Sequence, residues 1–102
     1  MANLKISPTA DSDLNEISQY LAVEQDNPEA ADRVIRAVMD TLLLLPNFPR
    51  LGTVCHEFSD LFPNLQSITV EGYLLYYRRN EEMIDVIRIV SSRRERRRAL
   101  ED

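Results

Sequence analysis

The sequence predicts an α+β fold in which two helices precede a mainly antiparallel sheet. Two observations predict it. Apolar residues recur at three-to-four-residue spacing from Ala10 to Leu45. From Thr53 onward the pattern becomes short runs rich in β-branched and aromatic residues, separated by turn formers. Helices followed by strands, rather than alternating with them, place the helices on one face of an antiparallel sheet.

Leu4 to Ile6 reads as a short strand. Ser7-Pro8 then marks a helix start: the hydroxyl accepts a free amide and proline presets φ. Ala10, Leu14, Ile17 and Leu21, with Tyr20, form one apolar stripe, which predicts a helix over residues 8–24. Asn27-Pro28 repeats the start signal, with Glu29 in the first turn. Ala31, Val34, Ile35, Val38, Leu42 and Leu45 make a stronger stripe, ended by Pro46 and Pro49. The short connection predicts an antiparallel helical hairpin. Pro46 to Gly52 is a loop and Thr53 to Phe58 a short strand. Gln66 to Val70 alternates like a half-buried strand. Glu71-Gly72 leads into Tyr73 to Arg79, and Asn80-Glu81-Glu82 turns the chain into Met83 to Val90. The predicted order is β-α-α-β-β-β-β.

The last two predicted strands are apolar at both parities. Leu74 and Tyr76 share one face and Tyr73, Leu75 and Tyr77 the other, followed by Ile84 and Val86 against Ile87 and Ile89. One helical hairpin covers one face only, so the other needs a cover. The chain's own tail or a loop supplies it, or a protein partner does.

A length of 102 residues fits one compact domain, residues 1–102, with 93–102 as a basic tail or short helix. A domain of this size buries roughly two-thirds of its unfolded surface, so it folds with little margin. One cysteine, Cys55, leaves no internal disulfide and no multi-cysteine zinc site. No metal or cofactor is expected. The apolar run Leu42 to Leu45 is far short of the roughly 20 residues that span a bilayer. The N-terminus lacks a basic stretch followed by an apolar core. The expected location is the cytoplasm, away from membranes.

Net charge is −5, unevenly placed: residues 1–64 carry −6, whereas 65–102 carry +1, with five arginines between Arg93 and Arg98. A general nucleic-acid binder is basic overall. Here any anionic partner must be met locally, by the C-terminal segment. Cys55 and His56 are strand neighbours that point to opposite faces and make no catalytic dyad. Asp11, Asp13 and Glu16 read as an acidic, exposed helix start rather than a metal site. Tyr73, Tyr76 and Tyr77 read as packing residues rather than base-stacking platforms.

Over about 90 residues the chain resembles the RelE/ParE superfamily of type II toxin–antitoxin toxins, and ParE-like members most. The resemblance rests on Lys5 to Leu21 ("KISPTADSDLNEISQYL"), on "NPEAADRVI" opening the second helix and on "LLLLPNFPRLG" at its end. The hairpin "ITVEGYLLYYRRNEEMIDVIRIVSSRRERRRAL" completes it. It implies a small toxin held by a cognate, ParD-like antitoxin in a hetero-oligomer, touching operator DNA only through that antitoxin. RelE-like members cleave mRNA on the ribosome; ParE-like members poison DNA gyrase.

Two departures favour the second activity. Gln66 stands nearest to where many ribonuclease members carry an arginine, and Ser91 follows Arg88-Ile89-Val90 where their pattern has a histidine. RNA cleavage through the 2′-hydroxyl needs a base, an acid and a cation at the phosphate. Arg78, Arg88 and Arg93 are cation candidates, but serine replaces neither acid nor base. The leading expectation is a gyrase inhibitor that binds rather than cleaves, with Arg93, Arg94, Arg96 and Arg97 meeting the target. Tyr20 and Leu21 on the helix edge, with Tyr73, Leu75 and Tyr77 on an open sheet face, are the expected antitoxin contacts. The alternatives are a RelE-like mRNA endonuclease with a non-standard site, and a degenerate toxin that only binds antitoxin and co-represses its operon.

Overall fold

The computed structural model describes residues 3–56 and 60–92. The elements are β1 (Asn3–Ile6), α1 (Pro8–Gln19), a π-helical turn (Tyr20–Glu24), α2 (Pro28–Leu44), β2 (Thr53–Val54), β3 (Leu65–Val70), β4 (Tyr73–Asn80) and β5 (Met83–Ser91). The five strands form one sheet in the order β1-β5-β4-β3-β2. β1 pairs parallel to β5, and the other neighbours are antiparallel. The predicted order and class hold.

Both helix starts follow their sequence signals. The Ser7 side chain accepts from the Ala10 amide at 3.0 Å, and Asn27 accepts from the Ala30 amide at 3.1 Å, each just before a proline. The first helix stops being α-helical at Gln19, and the Gln25 amide donates to the Tyr20 carbonyl five residues back. The predicted strand over Thr53 to Phe58 is shorter, with only Thr53–Val54 paired to β3; Glu57 and Phe58 lie outside the described residues. At the β3–β4 turn Glu71 and Gly72 both take positive φ, 51° and 82°, as a type I′ hairpin requires.

The core joins the inner stripes of the helices (Ala10, Leu14, Val34, Val38, Leu42) to Leu75, Tyr77, Ile84, Val86 and Ile89 of the sheet. This corrects two sequence expectations. First, Tyr73, Leu75 and Tyr77 line the face beneath the helices, not an open one. Leu75 and Tyr77 have no exposed surface, and Tyr73 packs on the same cluster. Second, Ile89 shares the face of Ile84 and Val86. Tyr76 lies opposite Arg88 while Tyr77 lies opposite Val86, so Ile87 is the extra residue of a β-bulge and the parity of β5 flips there.

Part of the apparent two-sided apolarity is therefore one face interrupted by a bulge. The far face mixes Leu65, Leu74, Tyr76 and Val90 with Lys5, Ser67, Thr69, Arg78, Asp85 and, opposite Tyr76, Arg88, whose side chain reaches Asp13 of α1. Leu65 and Val90 are buried, and Leu74 and Tyr76 half-buried.

The loop after α2 is tied down from below. The Tyr77 hydroxyl accepts from the Gly52 amide at 2.8 Å, with the Pro49 carbonyl and the Gln66 side-chain oxygen both 3.1 Å away as acceptors. Gly52 comes so close to the sheet that a Cβ would lie 2.5 Å from the Ser67 carbonyl oxygen. Only glycine fits there.

Candidate functional site

The site grows out of an unequal pairing. β1 accompanies β5 only as far as Ile6 opposite Val86, yet β5 runs on to Ser91. Beyond Val86 the outer edge of β5 has no neighbouring strand among the described residues, and bare backbone donors there need partners. The start of α1 supplies them. The Ser7 amide donates to the Val86 carbonyl at 3.1 Å, and its hydroxyl donates to the Ile87 carbonyl at 3.0 Å. Six residues further on, Asp13 Oδ2 accepts from the Ile89 amide at 2.9 Å.

The same carboxylate holds Arg88. The Arg88 Nε donates to Asp13 Oδ2 at 2.9 Å and Nη2 donates to Oδ1 at 3.2 Å, a two-pronged pair. Asp13 is 8% exposed, so the exposed acidic helix start expected from sequence is wrong for this residue. A carboxylate withdrawn from water is tolerated because it is both paired and hydrogen-bonded. The sequence carried a faint signal of this. Asp13 sits three residues after Ala10 and four before Ile17, within the apolar stripe rather than opposite it.

A cleft of about 120 Å³ opens beside this pair, walled by Glu16, Ile17, Tyr20, Tyr73, Arg88 and Ser91. A second, more open concavity of about 520 Å³ is lined by Asn15, Gln19 and Glu24 together with Glu16 and Tyr20. The π-helical turn presents Tyr20, 44% exposed, to both. Such turns recur at functional sites because the widened ring re-aims its side chains. Burial raises the Tyr73 pKa above its ordinary value, and the neighbouring Tyr20 adds to the rise. The Tyr77 pKa is raised by burial too; the Gly52 amide donating to it pulls the other way and Cys55 adds slightly.

The structure thus brings Tyr20, Tyr73 and Arg88 together. Leu21 is half-buried against the core, and Leu75 and Tyr77 belong to the core itself. Arg78 lies apart on the far face, where its Nε is buried and has no hydrogen-bond partner among the described residues. Arg93, Arg94, Arg96 and Arg97 lie outside the described residues. Cys55 is buried and His56 exposed. Among the described residues no cluster of His, Cys, Asp or Glu could hold a metal ion, and no helix is long and apolar enough to cross a membrane.

Residues 4–96 match a family model described as the ParE toxin of the type II toxin–antitoxin system parDE. The chain belongs to the ParE toxin family. The solved structure described as the chromosomal ParDE TA system from P. aeruginosa has the same fold as this ParE-family chain. The TM-score is 0.72, covering 89% of this chain and 96% of that one at 22% identity. No curated protein sequence matches this ParE-family chain. Within the family fold, the Asp13–Arg88 pair joins α1 to the strand that ends at Ser91, where the ribonuclease pattern would have a histidine.

Proposed function

We propose that this ParE-family toxin inhibits DNA gyrase by binding it, and that a cognate, ParD-like antitoxin neutralises it. The observation that carries the binding reading is the state of Arg88. Its guanidinium already grips Asp13 through two hydrogen bonds, so the best-placed cation for a scissile phosphate has its charge matched within the protein. Ser91 beside it titrates far outside the range useful for proton transfer. A toxin that traps its target needs surface rather than acid and base, and the open cleft by Tyr20 and Tyr73 supplies surface.

In this reading Arg93, Arg94, Arg96 and Arg97 meet gyrase or its DNA as a local cationic patch on an otherwise acidic chain. The antitoxin covers Tyr20, Leu21 and Tyr73. Toxin and antitoxin form a hetero-oligomer that reaches operator DNA only through the antitoxin, in the cytoplasm where gyrase works. The test is a supercoiling assay with purified gyrase. Free toxin is expected to suppress supercoiling and leave cleaved DNA, and added antitoxin to restore activity. Full supercoiling at excess toxin rejects the proposal.

A further inference from the structure

We infer that the groove between α1, the π-helical turn and the end of β5 receives an arginine side chain of the antitoxin, stacked against Tyr20 and Tyr73 and counter-charged by Glu16 and Glu24. The inference rests on the antitoxin reading above and specifies its chemistry.

Three observations converge. Glu16 and Tyr20 line both the cleft that holds Tyr73 and the wider concavity that reaches Glu24. Its charge is negative in a particular place. Asp13 is already matched by Arg88 at the floor. Glu16 and Glu24 are exposed, and among the described residues neither has an ion-pair partner. Among the described residues these two carboxylates have no cation, and a cationic group of the partner is the complement they would take.

The third observation is aromatic. Tyr20 and Tyr73 line the same cleft, close enough that the charge of one is felt by the phenol of the other. A planar guanidinium stacks on such rings while its N–H fork reaches a carboxylate, a combination that the compact lysine ammonium meets less well. Ile17 offers apolar contact for the aliphatic stem.

The test is a binding titration of the full-length toxin against the polypeptide encoded by the adjacent reading frame, at low and high salt. The variants are Glu16→Gln with Glu24→Gln, and separately Tyr20→Leu. Each is expected to weaken binding on the order of tenfold, and the double Gln variant to flatten the salt dependence. Unchanged thermal midpoints show that the fold is intact. Replacing the partner's arginines by leucine one at a time is expected to reveal a single arginine whose loss costs nothing further in the Glu16→Gln background.

Binding that is indifferent to Glu16, Glu24 and Tyr20, or that couples to no arginine, overturns the inference and leaves the antitoxin reading standing. A wild-type toxin that does not bind the adjacent polypeptide overturns both. Tighter binding by the double Gln variant, abolished when Arg93, Arg94 and Arg96 are changed to Ala in the full chain, identifies the toxin's own arginines as the occupant. That result also overturns it.

Discussion

Tyr73 and Tyr77 stand four residues apart on the same face of one strand, and the molecule treats them in opposite ways. Tyr77 has no exposed surface. The loop after α2 folds over its ring, and its hydroxyl accepts from Gly52 and has acceptors in Pro49 and Gln66. Tyr73 is half-buried and opens onto a groove shared with Tyr20. The residue type, strand and face are the same, and burial lifts both phenol pKa values. The difference lies in what was laid on top. At the Tyr77 end a glycine lets the loop backbone press onto the sheet; at the Tyr73 end the π-helical turn leaves a concavity. One end of β4 is spent on folding, and the other is left as open surface.

The closed and open ends make different demands on single substitutions. The largest effect is expected at the anchor beneath the open end. Asp13→Ala strands the Ile89 amide and removes the two-pronged carboxylate from Arg88, and should cost about 3 kcal/mol in urea unfolding, since Asp13 is buried although Arg88 is partly solvated. A cost under about 0.5 kcal/mol, the range of ordinary surface changes, would mean that α1 does not depend on this carboxylate to hold β5.

Next comes the closed end. Tyr77→Phe removes the loop clamp and leaves the Gly52 amide without its acceptor, at an expected cost of about 1–2 kcal/mol. The pH dependence sharpens the point. With the folded pKa above the ordinary 10.0, the unfolded chain releases the phenol proton first. The stability associated with the neutral phenol is full below pH 10 and is lost as pH rises through the folded pKa. Tyr77→Phe should flatten that alkaline decline in unfolding midpoints. The smallest effect belongs to Tyr73→Phe, within about 0.5 kcal/mol of wild type, because among the described residues no group loses a hydrogen bond by the change. A Tyr73 variant as damaging as Tyr77→Phe would erase the distinction between the two ends.

Much of this fold was legible beforehand, and the reasons are local. Ser7-Pro8 and Asn27-Pro28 announce helix starts because a short polar side chain and a fixed φ act on adjacent backbone. Glu71-Gly72 announces a tight turn, and the stripe from Ala31 to Leu42 announces a buried helix face. The site was legible only in part. Tyr20, Tyr73 and Arg88 were named, but Leu75 and Tyr77 were placed on an open face although they lie in the core. Asp13 was taken for an exposed charge. Alternation tells which residues share a face but not which face the helices cover. A bulge such as that at Ile87 reverses parity without any mark in composition.

The sequence by itself determined the succession of helices and strands, their approximate limits and the toxin family, since these follow from nearest-neighbour stereochemistry and from motifs in fixed order. Only the tertiary structure decided that β1 ends early along β5, that Asp13 satisfies the edge left bare, and that a groove survives where Tyr20 meets Tyr73. Those outcomes depend on contacts between residues some 75 positions apart, such as Asp13 and Arg88. No local pattern encodes which buried donor a distant carboxylate will reach.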